Sequence, residues 1–211
     1  ELDYKQQWLA HLPKLLLEDY PTELSVGLGS GILMGESARH EKLDKIICVE
    51  IAPSVVEGAA FFPDENYGVL DSPKAEVVVK DAVNYLLTSP NRYDIISTDG
   101  KTQPEYGVNG VFFSEEYYTL MRDHLAPGGL AIQWIPIHYP PDIFKTVLNT
   151  FCRTFPYALI WYAESNCFLL GSNQPIALDP AAIDAKLADP NLPFDGLRKF
   201  GMTSATSILA Q

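Results

Sequence analysis

The chain has 211 residues, 47% of them hydrophobic and 20% charged, with a formal net charge of −12. That length predicts one domain with at most a small appendage, and the apolar share is enough for an ordinary core. The 15 lysines and arginines are scattered, which leaves no basic patch for a nucleic acid and suits a small or cationic substrate better.

Apolar runs of strand length alternate along the chain with segments of helical period. A helical period covers residues 4–17, and LSVGL at 24–28 reads as the first strand. A helix follows over 31–40, then the strand KIICVE at 45–50 and a helix over 53–61. The strand AEVVV at 75–79 leads into a helix over 81–88, and YDIIST at 93–98 is the fourth strand. Ser114 is placed to N-cap a helix over 114–125, with Glu115 and Glu116 in the first turn, where the helix dipole favours anions. Pro127-Gly128-Gly129 is expected to end that helix and turn into the strand GLAIQWI at 129–135. After a helix over 141–154, the runs YALIWY (157–162) and CFLLG (167–171) are separated only by Ala163 to Asn166, which is hairpin length.

This order predicts an α/β fold: a doubly wound, mostly parallel seven-stranded sheet with a C-terminal antiparallel hairpin. Beyond about residue 172, Pro, Asp and Ala dominate around one short helix at 179–187. The expected division is a core over 1–172 and a peripheral appendage over 173–211. Cys48, Cys152 and Cys167 have no metal-type spacing, and no metal is expected. Cys48 and Cys167 lie in apolar runs, where a free thiol acts as a small hydrophobe, and the odd number suggests a reducing, cytoplasmic compartment. No run of 18 apolar residues occurs, so this chain by itself is expected to make no membrane contact. The first residue is Glu1 rather than Met. That leaves open that the sequence is a fragment of a longer protein.

The stretch VGLGSGI carries the first chemical signal. Gly27, Gly29 and Gly31 follow a strand and open a helix, so the backbone can turn tightly and approach a ligand without a Cβ in the way. Glu50 closes the next strand, where a carboxylate can accept both hydroxyls of a ribose. A dinucleotide fingerprint would want its third glycine at position 32, where Ile32 stands, which argues against a pyrophosphate. Asp81 follows the third strand and Asp99 the fourth, at the edge where open α/β sheets bind ligands. PEYGVNGVFF at 104–113 lies where a lid would sit, with Tyr106, Phe112 and Phe113 able to cover a ligand or simply to pack. His11, Trp134, Trp161 and Tyr162 read as packing residues.

LDYKQQWLAHLP, VGLGSGI, ICVEIAPSVVEGAAFFP, VVVKDAVNYL, RYDIISTDGKTQP and FFSEEYYTLMRDHLAPGGLAIQW occur in that order. Over residues 1–172 this pattern resembles the spermidine synthase family, and in particular the bacterial spermidine synthase-like branch, some members of which are fused to membrane spans. The resemblance implies a fold like that of the S-adenosylmethionine-dependent methyltransferases. It implies transfer of an aminopropyl group from decarboxylated S-adenosylmethionine to an amine, with methylthioadenosine released. On this likeness Asp99 is the base, and Gly27, Gly29, Ser30, Gly31, Glu50, Asp81 and Ala82 bind the donor. Tyr4 matches a tyrosine near the acceptor, a small amine or another small molecule. Lys101 and Tyr106 are the further substrate-side candidates, Tyr106 from the lid and Lys101 as a cation that would repel a polyamine but could hold an anionic substrate. A homodimer is compatible with this reading.

Three positions depart from the family pattern. Ser30 stands where the family has an aspartate for the donor's ammonium. The stretch from Asp99 to Pro104 has no second acid and gains Lys101, and the hairpin is too short for the family's tyrosine and proline. Each lost carboxylate removes a charge-assisted contact of about 1.5–3 kcal/mol. An uncharged Ser30 also suits intact S-adenosylmethionine, so a methyltransferase on the same core is the alternative. The third reading is a non-catalytic nucleoside-binding domain of a membrane-fused protein.

Overall fold

The computed structural model describes residues 2–99, 108–163 and 166–209. Its elements begin with α1 (Leu2–Leu16), β1 (Thr22–Val26), α2 (Ile32–Ala38), β2 (Lys45–Glu50), α3 (Pro53–Ala59), β3 (Ala75–Val79), α4 (Ala82–Thr88) and β4 (Tyr93–Thr98). There follow α5 (Glu115–Asp123), β5 (Leu125–Pro136), α6 (Pro141–Thr154), β6 (Tyr157–Ala163) and β7 (Asn166–Ser172). Among the described residues the strands form one seven-stranded sheet in the order β3-β2-β1-β4-β5-β7-β6. The first five pair in parallel, while β7 runs antiparallel to both β5 and β6. This is the fold class that the alternation predicts. Only residues 164 and 165 separate β6 from β7, too few for a crossover.

Neighbouring residues on a strand feed opposite layers. Ile96 and Leu169 join the cluster under α4, α5 and α6, with Leu86, Tyr117, Met121 and Phe151. Ile95 packs instead with Met34 and Ala59, and Leu170 packs with Trp8 and Leu12 of α1. That two-residue alternation is what a sheet covered on both faces requires.

The start of β5 differs from expectation. The helix ends at Asp123, and Leu125 already pairs with Tyr93, so Pro127-Gly128-Gly129 lies inside the strand as a shift of register. Gly128 has φ 81°, and a Cβ on Gly129 would stand 2.9 Å from the carbonyl oxygens of Tyr93 and Asp94. Glycine is needed here to let an irregular strand lie close to β4, rather than to stop a helix.

The C-terminal segment folds into α7 (Pro180–Ala188), α8 (Asp195–Lys199) and α9 (Ala205–Leu209). Ile183, Leu187, Phe194, Leu197 and Ile208 share a core cluster with Trp8 and Leu12 of α1. Lys186 Nζ donates to the carbonyls of Lys14, Leu15 and Leu17 at 3.0, 3.0 and 2.6 Å, satisfying orphan acceptors at the end of α1.

A buried polar network joins α1 to the sheet and to α2. His11 Nδ1 lies 2.9 Å from His40 Nε2, and the Tyr20 hydroxyl is 3.1 Å from His40 Nδ1. Gln7 donates to Glu36 at 2.6 Å, and Arg39 bridges Glu36 and Asp195 at 2.6 Å each. Burial pushes the pKa values of both His11 and His40 down. Burial alone would raise Glu36, but hydrogen bonds from His11, Gln7 and Arg39 hold it down at about 2.

These shifts fix the sign of an acid response. Both imidazoles stay neutral in the fold, whereas in the unfolded chain they take protons below about pH 6.5. Stability is therefore complete above that pH and is expected to fall below it, by at most about 1.4 kcal/mol per pH unit for each histidine. Urea-denaturation midpoints from pH 8 to pH 5 check this. A midpoint unchanged across that range would mean that the buried pair does not resist protonation.

Candidate functional site

All parallel strands of one sheet end at the same edge, so residues that follow them in sequence are brought together in space. β1 lies between β2 and β4, which sets the exits of those two strands about 10 Å apart across the glycine loop. The loop begins with the Gly27 amide donating to the Val49 carbonyl at 2.9 Å. Gly27, Gly29 and Gly31 have φ of 90°, 56° and 83°, conformations in which an L side chain is strained. A Cβ on Gly27 would lie 3.5 Å from the Asp99 carbonyl oxygen. Asn66, buried beneath the loop, donates to the carbonyls of Ser30 and Ala59 at 2.9 Å each and so fixes its far end.

Glu50 clamps the loop from the β2 side. One carboxylate oxygen accepts from the Leu28 amide at 3.0 Å and the other from the Ala52 amide at 2.9 Å. Each oxygen keeps acceptor capacity for a further donor. Ile51, the next residue, is 68% exposed, and Val79 at the end of β3 is 51% exposed. Two apolar side chains are thus left uncovered on the edge that carries Glu50. Asp81 is the N-cap of α4, its side chain accepting from the Asn84 amide at 2.8 Å, and Ala82 is buried behind it.

On the β4 side the Asp99 amide donates to the Val26 carbonyl at 3.1 Å, which holds this residue against the glycine loop. Its carboxylate is taken up by α1: Gln6 Nε2 donates to Oδ2 at 2.6 Å, and Lys5 Nζ pairs with Oδ1. Lys5 Nζ also lies 4.3 Å from the centre of the Trp134 ring, and the Trp134 indole N–H donates to Asn166 Oδ1 at 2.9 Å. Lys5 and Gln6 were invisible to sequence reasoning. Nothing in an amphipathic helical pattern says which polar residues of its first turn will meet a carboxylate 94 positions away.

Residues 2–164 match the family model of the spermine/spermidine synthase domain. The chain belongs to that family. It is 31% identical over 149 residues to a polyamine aminopropyltransferase of Aeropyrum pernix, an alignment covering 69% of this chain and 48% of the relative. The chain spans about half the length of the curated relatives it matches. Among solved structures, a spermidine synthase in complex with the transition-state analogue AdoDATO superposes with a TM-score of 0.76 at 24% identity, covering 93% of this chain and 76% of that one. Human methyltransferase-like protein 13 in complex with SAH superposes with a TM-score of 0.67 at 23% identity, covering 94% and 88%. These two likenesses speak to the fold.

In this spermine/spermidine synthase domain, Gly27, Gly29, Ser30, Gly31, Glu50, Asp81, Ala82 and Asp99 all lie on the carboxyl edge of β1 to β4. Tyr4 is one residue away from Lys5 but is buried, with its ring 4.8 Å edge-on to Phe200. Lys101 and Tyr106 lie outside the described residues. Phe113 is buried and Phe112 packs beside it, against Tyr139 and Tyr117, so the packed-loop alternative holds for these two rings. Trp161 is core, but Tyr162, the next residue of the edge strand β6, is exposed. Among the described residues no three His, Cys, Asp or Glu side chains gather to hold a metal, and no helix is long and apolar enough to cross a membrane.

Proposed function

We propose that residues 1–172 are the catalytic core of an aminopropyltransferase, with residues 173–211 an appendage braced against α1. The observation that carries this reading is the opposition of Glu50 and Asp99 across one glycine loop, in a chain of this family. Glu50 would hold the ribose hydroxyls of decarboxylated S-adenosylmethionine, Ile51 and Val79 would cover its adenine, and Asp81 and Ala82 would line the base's outer edge. Gly27, Gly29, Ser30 and Gly31 would let the backbone approach the remainder of the donor.

The chemistry is a displacement at carbon. The nitrogen of a neutral amine attacks the methylene joined to the sulfonium, and an N–C bond forms as the C–S bond breaks. The bonding pair passes to sulfur, and methylthioadenosine leaves. The nitrogen's surplus proton goes to Asp99 and from there to solvent. Tyr4 and Tyr106 are assigned to the acceptor side, the acceptor being a small amine, whereas Lys101, a cation, suits an anionic substrate instead.

Calorimetric titration with decarboxylated S-adenosylmethionine, S-adenosylmethionine, methylthioadenosine and NAD tests the proposal. Preference for the decarboxylated donor is expected. Preference for intact S-adenosylmethionine would move the reading to methyl transfer, and binding of none would remove the nucleoside site altogether. Within that assay, Glu50→Gln is expected to weaken methylthioadenosine roughly 10- to 100-fold, the cost of losing a charge-assisted acceptor. Unchanged affinity would take Glu50 out of the site.

A further inference from the structure

A carboxylate and the face of an indole, held a few ångströms apart, make a receptor for an alkylammonium ion. Asp99 and Trp134 both meet one ammonium, and it is the chain's own. Lys5 Nζ is ion-paired to Asp99 Oδ1 and sits 4.3 Å from the Trp134 ring centre, the Lys5 and Asp99 side chains being only 12% and 13% exposed. The receptor is fixed independently of its occupant. Gln6 restrains the other Asp99 oxygen at 2.6 Å, and Asn166 restrains the indole at 2.9 Å. Lys5 is thus the replaceable member of the group, a cation carried on four methylenes from the first turn of α1.

We infer that Lys5 is a tethered occupant of the acceptor's ammonium subsite, which a free amine must displace before it reaches Asp99. This rests on the proposed aminopropyl transfer, since it takes Asp99 as the group that receives the acceptor. Two consequences follow. With Lys5 in place the Asp99 carboxylate already has a counter-ion, so an incoming ammonium gains that contact only as Lys5 gives it up. An acceptor with an aminoalkyl arm like that of lysine reproduces each contact that Lys5 gives up, which a compact or anionic acceptor does not. The apparent affinity for such an amine is lowered by the fraction of molecules in which Lys5 has left. An ion pair and a cation–π contact of ordinary strength together make that factor roughly 5 to 30.

The test is calorimetric titration of 1,4-diaminobutane into the unmodified chain, K5M, K5Q and the double variant K5M/D99N, with melting temperatures recorded alongside. Both single variants are expected to bind the diamine roughly 5- to 30-fold more tightly than the unmodified chain. The gain should vanish in K5M/D99N, because the receptor itself is then lost. Using two replacements guards against one that perturbs α1. Equal or weaker binding in folded K5M and K5Q, with the unmodified chain still binding the diamine, overturns the inference and leaves aminopropyl transfer standing. No diamine binding by any of the proteins overturns both. Methylthioadenosine titrated in parallel shows whether the donor site survives that outcome.

Discussion

Asp99→Asn is expected to lower aminopropyl transfer by roughly 10²- to 10⁴-fold, the range for removal of a positioned general base, while methylthioadenosine affinity stays within about twofold. The asparagine keeps the shape of the side chain and an oxygen able to accept from Gln6, whose donor lies 2.6 Å from Asp99 Oδ2. It also keeps the backbone bond to Val26, so the glycine loop has no reason to move. What disappears is a group that can take a proton from the attacking nitrogen and balance its developing charge. Single-turnover kinetics with decarboxylated S-adenosylmethionine and a diamine separate this from a binding defect. Transfer within tenfold of the unmodified rate would show that the base is another residue. Loss of methylthioadenosine affinity would instead make Asp99 part of the scaffold of the loop.

The largest stability effect is expected at Lys14 and Glu23. Both side chains are completely buried, with Nζ 2.6 Å from Glu23 Oε2, 2.8 Å from the Ala10 carbonyl and 3.0 Å from Ser37 Oγ. Burial pushes the lysine pKa down, and Glu23 works against that shift. Glu23→Gln leaves a buried ammonium without its counter-ion and is expected to cost about 3–5 kcal/mol. For a chain of this size that lowers the melting temperature by roughly 6–20 °C. The cost should shrink at high pH, where Lys14 can shed its proton instead of remaining charged and unpaired. Replacing both partners together, as Lys14→Met with Glu23→Leu, is expected to recover more than half of the loss, because buried ion pairs contribute little net stability over apolar packing. Thermal or urea melts of the two variants at pH 7 and pH 9 decide it. A Glu23→Gln protein as stable as its parent would mean that water or another acceptor reaches Lys14.

What could be read from the chain depended on how far apart the cooperating residues are. β2, β3 and β4 have the bounds that their apolar runs predict, as does α6, because strand and helix periods are written in consecutive residues. Ser114 accepts from the Tyr117 amide, a cap that needs only three residues to specify. The meeting of Glu50, Asp81 and Asp99 at one edge was legible too, since parallel strands bring whatever follows them to the same side. The Pro127-Gly128-Gly129 bulge reads in sequence as a helix stop, because glycine and proline announce an irregular backbone without saying what lies beside it. Here the neighbouring carbonyls of Tyr93 and Asp94 are the reason for Gly129.

The sequence by itself thus determined the layering of this protein, the order of its elements and the edge on which its acids gather. Only the tertiary structure decided which cations meet those acids. Lys5 on Asp99, Lys14 on Glu23, Arg39 between Glu36 and Asp195, and the two facing histidines all depend on how α1, α2 and α8 are rotated against the sheet. Helical period sets which face of a helix is buried, but a polar residue at the margin of that face finds its partner only once the packing of every neighbouring element is in place.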